Sequence, residues 1–520
     1  MGISTLDTWV VGIYAVAIFS LAQWVSRERG EHKKNAQDYF LASRALPWWA
    51  IGTSLIAANI SAEQIIGMSG SGYVIGLGIA SYEWMAALTL ILVGKYFLPV
   101  FLTNRIYTMP EFLQKRFSPE VRTVMAIFWL GVYIFVNLTS ILWLGATAVH
   151  TVAGVEIQTA LIALGAFAGA YALYGGLKAV ALTDIVQVSL LVLGGLIISY
   201  LALDKVSGHQ GILHGFQYLQ AHFPEHFRMI LPPSDPNYKD LPGLSVLLGG
   251  LWVMNVSYWG FNQYIIQRAL AAKDLREAQK GIVLAGFLKL LMPVIIVLPG
   301  IAAVALAPGL PRADEAYPHL MAMLPPGILG LVFAALIAAI VASMGSKINS
   351  IATIFTMDVY RPMRPQASPE HLVLVGRIVA VLALITAIVV AKPLLGSFDQ
   401  AFQFIQEFTG FFTPGICVIF LLGMFWSRCT ANAALVAAVA SAVLSYALMK
   451  LWPALPFIDR VGVVFLACVA LAIIVSLIQK PQPPSMAIEL KNIDYSTSTG
   501  FNIAAGVIIV VLIVLYTTWW

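Results

Sequence analysis

Charge is what this sequence has least of. Only 11% of its 520 residues are Asp, Glu, Lys or Arg, where soluble domains carry about 25%. A chain this poor in charge cannot cover a water-facing surface, which excludes a soluble enzyme, a disordered segment and a nucleic-acid binder. Neither sign dominates: 30 Lys and Arg against 25 Asp and Glu leave a net charge of +5, too small and too dispersed to read as a footprint for nucleic acid. Cysteine is nearly absent. Cys417, Cys429 and Cys468 lie in or beside apolar runs, so no disulfide framework is implied and all three read as buried thiols. No stretch has the composition of a kinase, a nucleotide-binding cassette or a P-loop, so ATP hydrolysis within these residues is not expected. What is present is apolar residue: 60% of the chain is hydrophobic and the mean hydropathy is +0.85. The chain is an all-α polytopic membrane protein.

A membrane-crossing helix needs about 20 mostly apolar residues. Such runs occur at about 7–26, 47–73, 79–103, 121–150, 157–174, 179–203, 243–264, 282–308, 327–350, 371–391, 398–425, 431–449, 461–478 and 501–519, which makes fourteen expected spans. The first is no cleavable leader, because its charged flank, Arg27 to Lys34, follows the apolar run instead of preceding it. Lys and Arg set the orientation. With both termini outside, 20 of them fall in loops on the cytoplasmic side and seven on the other, the remaining three being Lys95, Lys289 and Lys347 within spans. The longest external loop, 204–242, carries four of the eight histidines, at spacings that read as solvated side chains and not as a zinc site.

Two spans break their own rules. The second reads Ala57-Ala58-Asn59-Ile60-Ser61-Ala62-Glu63-Gln64, then Gly67-Met68-Ser69-Gly70-Ser71-Gly72. The seventh has Gly249-Gly250, then Asn255-Val256-Ser257-Tyr258-Trp259-Gly260-Phe261-Asn262-Gln263-Tyr264. Polar side chains at mid-membrane are costly unless they face protein or a wet cavity, and the glycines weaken the helix at the same places. Interrupted helices at matching positions of two halves point to a transporter with inverted repeats and a site at the midplane. The reading divides the chain into 1–46, an extra helix and cytoplasmic loop; 47–203, the first repeat; 204–242, the external loop; 243–425, the second repeat; and 426–520, three accessory helices.

Other ionisable residues lie inside spans and must find an opposite charge, a dipole or water. Glu83 opens the third span and Lys289 lies about two turns into the eighth. They pair across an aqueous cavity or form a structural salt bridge. Asp184 lies in the sixth span, Lys347 late in the ninth, and Glu407 follows Gln403 and Gln406 in the eleventh. Lys95 and Glu407 read as interfacial or structural.

Ala57 to Gly72, Gly169 to Val180, Asn255 to Arg268 and Gln403 to Gly410 together resemble the sodium/solute symporter family, over nearly the whole chain. The resemblance implies a LeuT-type core of two inverted five-helix repeats and alternating access. It places a sugar among Gln64, Glu83, Asn255, Lys289 and Gln406, with Tyr82 beside them. It makes Tyr258 an inner-gate tyrosine, Met68 and Tyr133 outer hydrophobic gate residues, and Asn137 a pocket-lining or gate-supporting residue. Such a set suits a pyranose, because carboxylate and amide oxygens accept from hydroxyls while ammonium and amide N–H groups donate. One position departs, Ala86 standing where a sugar-carrying member has serine.

The resemblance also implies a sodium site built from carbonyls at Ala57, Ile60 and Ala339 and from two adjacent hydroxyls, which here read Ala342-Ser343. One hydroxyl ligand is gone, and weaker sodium binding is expected. Asp184 matches an acidic residue on the family's cytoplasmic ion path. Lys347 stands four residues after Ser343, on the same helical face, where a near relative has methionine. Its ammonium repels sodium, replaces it as a tethered cation, or snorkels toward the cytoplasm; snorkelling is the expectation.

The sequence is therefore read as a secondary transporter taking up a neutral hexose of the galactose or glucose type with sodium. A sodium-independent or proton-linked carrier of the same fold, or a symporter for another polar solute, is the alternative. No cluster of catalytic residues stands apart from these positions, so an enzyme is not expected. The partners are sugar, sodium and the lipid bilayer, with no nucleic acid. The resemblance puts the chain in a bacterial inner membrane.

Overall fold

The computed structural model describes residues 3–26, 45–106, 108–396, 400–480 and 488–520, with side chains at 19, 22, 23, 25, 26, 171, 173–185 and 187 outside the description. Among these residues, nine helices are long and apolar enough to cross a membrane, and a bent pair, Ala401–Thr409 with Thr413–Phe425, makes a tenth. Of the other four expected spans, the first is the helix Thr5–Ser26 and the fifth opens the helix Ile157–Val206, both with some side chains outside the description, and the second and seventh are interrupted. The sole β pairing among the described residues is a bridge between Leu46 and Ala272, at the entry to the second span.

The second span is helical over Trp48–Asn59, extended at Ile60 (φ −70°, ψ 104°), and resumes as a π-helical turn Glu63–Met68 followed by Ser69–Val74. The seventh runs Leu244–Leu248, is extended at Gly249, continues as Gly250–Phe261, is extended again at Asn262 (φ −82°, ψ 119°), and ends as Gln263–Leu270. The interruptions fall where polar residues and glycine had marked them. A helix that stops in mid-membrane leaves its last carbonyls without intrahelical partners. In lipid this is tolerated only where protein or a wet cavity takes those groups.

Two expected boundaries differ. The eleventh span, read as continuous over 398–425, bends by 47°. Gly410 lies in the gap, and Pro414 opens the second half, where a missing N–H is harmless. Conversely, no gap separates the fifth and sixth expected spans: the backbone is helical throughout Ile157–Val206. That segment holds no proline, and at the expected gap, 175–178, only Gly175-Gly176 weakens it. At 1.5 Å per residue its 50 residues span about 75 Å, more than one crossing. Its described flanks pack against different helices: Gly165 and Gly169 on Leu384 and Ile388, Gly194 and Gly195 on Val332, Ala335 and Ile295.

The ninth span is the hub. Its most apolar window is 83% buried, against 28% in the tenth and 22% in the last, which therefore present most of their surface to lipid. Small residues bring backbones close. A Cβ on Gly250 would stand 1.8 Å from the Ile458 carbonyl, and one on Gly300 2.2 Å from that of Ser69. The 204–242 loop is pinned inward where His226 Nε2 meets the Tyr73 carbonyl at 3.1 Å.

Candidate functional site

The broken helices line a partly open cavity of about 100 Å³. The π-turn of the second span contributes Glu63 and Gln64, and the first turns of Ser81–Leu92 bring Tyr82, Glu83 and Ala86 to the same space. The seventh span adds Asn255, Tyr258, Trp259 and Asn262, the fourth Tyr133 and Asn137, and the eleventh Phe402, Gln406 and Thr409. π-Turns recur at functional sites because they redirect side chains. Here a second one, Val132–Leu138, carries both fourth-span residues.

Aromatic pairs flank the cavity. Tyr82 and Phe402 meet edge-on with centroids 5.3 Å apart. In the seventh span the Tyr258 hydroxyl accepts from Asn59 Nδ2 at 3.0 Å, and the ring contacts Tyr264 edge-on at 5.8 Å. In the same lining, Gln64 Oε1 and the Tyr82 hydroxyl are buried without a hydrogen-bond partner. Asn255 Nδ2 reaches the carbonyl of Leu251, on its own helix, at 3.2 Å. Buried polar atoms are normally paired, so unpaired ones facing a cavity mark where a ligand's hydroxyls fit.

Lys289 lies behind this lining instead of in it. Its Nζ is 2.5 Å from Glu83 Oε2, donates also to Asn59 Oδ1, and sits 4.9 Å above the Trp259 ring. Of the two readings of the pair, direct bridging is what occurs, and the lysine ties Glu83 and Asn59 together. Met68 is fully buried and does not line the cavity. Tyr133, expected at the outer gate, lies on the side of Tyr258: its ring is edge-on to Tyr264 at 5.4 Å, and its hydroxyl donates to Asn262 Oδ1 and accepts from the Gln263 N–H. That hydroxyl serves the backbone break at Asn262, a demand invisible before the break was located.

The expected ion site adjoins the break of the second span. Ser343 Oγ donates to the Ala58 carbonyl at 3.0 Å, a neighbour of the anticipated Ala57 and Ile60. Ala342 packs its methyl with Ala57 and Val188, and Ala339 is buried nearby on the same helix. Lys347 does not snorkel. It is fully buried, donates from Nζ to Ser343 Oγ at 3.2 Å, and lies 4.2 Å over the Tyr264 ring. The reason is reach: the helical run continues sixteen residues to Met363, about 24 Å at 1.5 Å per residue, far beyond a lysine stem. Asp184 stands on the helix Ile157–Val206, but its side chain lies outside the described residues.

Several contributors were not singled out in the sequence. Asn59 and Glu63 sit within the quoted polar run of the second span, and Phe402 directly precedes Gln403. Arg268, fully buried, donates to Ser54, to the Tyr264 carbonyl and to Ser346. Its pattern carried no signal beyond its place at the end of the seventh span. Glu407, by contrast, meets Arg460 at 2.8 Å, a structural bridge.

Broken helices around a cavity lined by polar and aromatic side chains are the arrangement of a secondary transporter. Three similarities agree with that. The chain is 49% identical to a sodium/glucose cotransporter of Vibrio parahaemolyticus, covering 100% of this chain and 99% of the relative. It is 31% identical to the human sodium/myo-inositol cotransporter 2, over 82% of this chain and 67% of that one. Its fold matches the solved structure of a Na+-coupled sialic acid symporter with a TM-score of 0.81 at 22% identity, over 92% of this chain and 99% of the other. Residues 39–440 match the profile of the sodium:solute symporter family, and the chain belongs to that family. It is a multi-pass membrane transporter with a LeuT-type core, it is not an enzyme, and sodium is its coupling ion.

Proposed function

We propose that the chain takes up a neutral hexose of the galactose or glucose type with sodium, by alternating access, across a bacterial inner membrane with both termini outside. In this reading 47–203 and 243–425 are the inverted repeats, flanked by 1–46 and 426–520 and joined by the external loop 204–242. Gln64, Glu83, Asn255 and Gln406 accept from and donate to the sugar hydroxyls, Tyr82 adds its hydroxyl and ring, and Lys289 acts through Glu83. Tyr258 with Asn59 forms the inner gate, supported by Tyr133 and Asn137, while Phe402 with Tyr82, backed by Met68, covers the outer side. Sodium binds among the carbonyls at Ala57, Ile60 and Ala339 and the Ser343 hydroxyl, and leaves past Asp184.

The observation that carries this reading is the pair of unpartnered atoms, Gln64 Oε1 and Tyr82 Oη, in a cavity flanked by aromatic pairs. A polyol satisfies many directional groups at once, and rings accept the apolar faces of a pyranose. The names of the Vibrio and human relatives, a glucose and a myo-inositol cotransporter, support a neutral polyol. Tracer uptake into proteoliposomes, with galactose, glucose and myo-inositol offered separately and sodium titrated against choline, tests it. Sodium-dependent accumulation of a hexose is expected, reduced strongly in Gln64→Ala and Asn255→Ala. Accumulation of inositol alone, or uptake untouched by both substitutions, would remove the hexose site proposed here.

A further inference from the structure

Lys347 faces two sites at once. Toward the proposed ion site, its Nζ donates to Ser343 Oγ, the hydroxyl that remains of the adjacent pair, and Ser343 in turn donates to the Ala58 carbonyl. Toward the cavity, its charge acts at a distance on Glu63, without a direct ion pair; Glu63 lines the cavity and is held by Ser140 Oγ and by the side chain of Asn137. Asn137 lines the cavity as well. The Tyr264 ring beneath Nζ touches Tyr258, the gate tyrosine, and Tyr133.

A hydroxyl oxygen has two lone pairs and one proton. In Ser343 the proton goes to Ala58 and one lone pair goes to Lys347. A sodium ion ligated by the same oxygen meets a positive charge beside it, and like charges at such a separation repel strongly in a partly buried site. Ala342 offers a methyl instead of a second hydroxyl, so nothing at that position compensates. The ammonium and the ion compete for one ligand. For a lysine released from Ser343, the acidic group whose charge already acts on it is Glu63.

We propose that Lys347 couples the two sites: sodium displaces its ammonium from Ser343, and the ammonium then pairs with Glu63 in the cavity lining. Once neutralised, Glu63 releases Asn137, whose amide becomes available to a sugar hydroxyl. Sodium binding is thereby felt at the sugar site as a charge moved onto Glu63. The coupling rests on the reading of the cavity as a hexose site; the displacement from Ser343 does not.

The test uses the purified full-length chain in nanodiscs. Sodium chloride is titrated against choline chloride without sugar, read by the rise in melting temperature and by tryptophan fluorescence. Galactose or glucose binding is then measured with and without sodium. In Lys347→Met the sodium concentration giving half-saturation should fall about tenfold, within the usual range of coupling between sites. In Glu63→Gln it should rise, because the displaced ammonium has lost its destination. Both variants should lose the effect of sodium on hexose affinity. Opposite shifts in sodium affinity with a shared loss of linkage are not the signature of general damage. The double variant Lys347→Met/Glu63→Gln, which leaves no buried charge of the pair unmatched, should bind sodium like Lys347→Met. Unchanged sodium half-saturation in Lys347→Met, or intact linkage in either single variant, would overturn the proposal. If the wild type bound no hexose at any sodium concentration, the cavity reading and the coupling would fall together, while the sugar-free titration would still decide the displacement.

Discussion

The ammonium of Lys289 and the carboxylate of Glu83 meet at 2.5 Å with 0% and 2% of their side chains exposed. Removing one partner of a buried pair leaves an uncompensated charge and is destabilising by about 3–5 kcal/mol. Lys289→Met should therefore lower the melting temperature in detergent as well as abolish uptake. The double variant Lys289→Met/Glu83→Gln should recover most of the stability and none of the transport. Heating followed by size-exclusion recovery separates the two effects. A single variant that melts with the parent would show that the bridge is not what holds these helices together.

Asn59 donates to the Tyr258 hydroxyl at 3.0 Å across the break of the second span. Tyr258→Phe removes that acceptor while keeping the ring. A net hydrogen bond contributes about 1 kcal/mol, roughly fivefold in an equilibrium, so the gate should open more readily. Efflux of preloaded sugar from proteoliposomes should quicken by about that factor, with binding in the cavity little changed. Slower or identical efflux would place the gate elsewhere.

Ala342 is fully buried, packed with Ala57 and Val188, and next to the one hydroxyl of the proposed ion site. Ala342→Ser adds an oxygen beside the carbonyls of the broken helix. The sodium concentration for half-maximal uptake, measured at fixed sugar, should fall. An unchanged sodium dependence would mean that residue 342 does not face the ion.

Asp240, in the 204–242 loop, is held above the usual carboxylate range by burial first and by the Glu407 carboxylate second, with Lys239 opposing. Between its unfolded value of about 3.9 and its raised folded value, the folded chain keeps the proton more tightly. Stability therefore falls as pH rises through that window. Asp240→Asn should remove this fall, equalling the parent below the window and exceeding it above. Melting curves across the acid range check it, and parallel profiles for the two proteins would contradict it.

Much of the site was legible because the cost of polar groups in lipid is local. Gln64, Glu83, Asn255 and Gln406 stood out as polar residues inside apolar runs, and all four line the cavity. The breaks at Ile60 and Asn262 fell within runs already marked by Asn, Ser and Gly. Phe402 was not legible, since one aromatic residue among the 27 phenylalanines of an apolar chain carries no signal. The 47° bend in the eleventh span was hidden for a related reason, because a lone Gly and Pro suit both a straight and a bent span.

The amino-acid sequence by itself determined that this chain lives in a bilayer, that its helices are counted in the teens, and that two of them must break around a polar site. Hydropathy, glycine and the cost of unsatisfied groups act over one helix length, so a linear reading captures them. Only the tertiary structure decided that Lys289 backs the cavity through Glu83, that Tyr133 serves the break at Asn262, and that Lys347 turns inward to Ser343. Each of these choices was made by a long or aromatic side chain with several partners within reach. Which partner it takes depends on residues some four to two hundred positions away, brought near by the packing of whole helices.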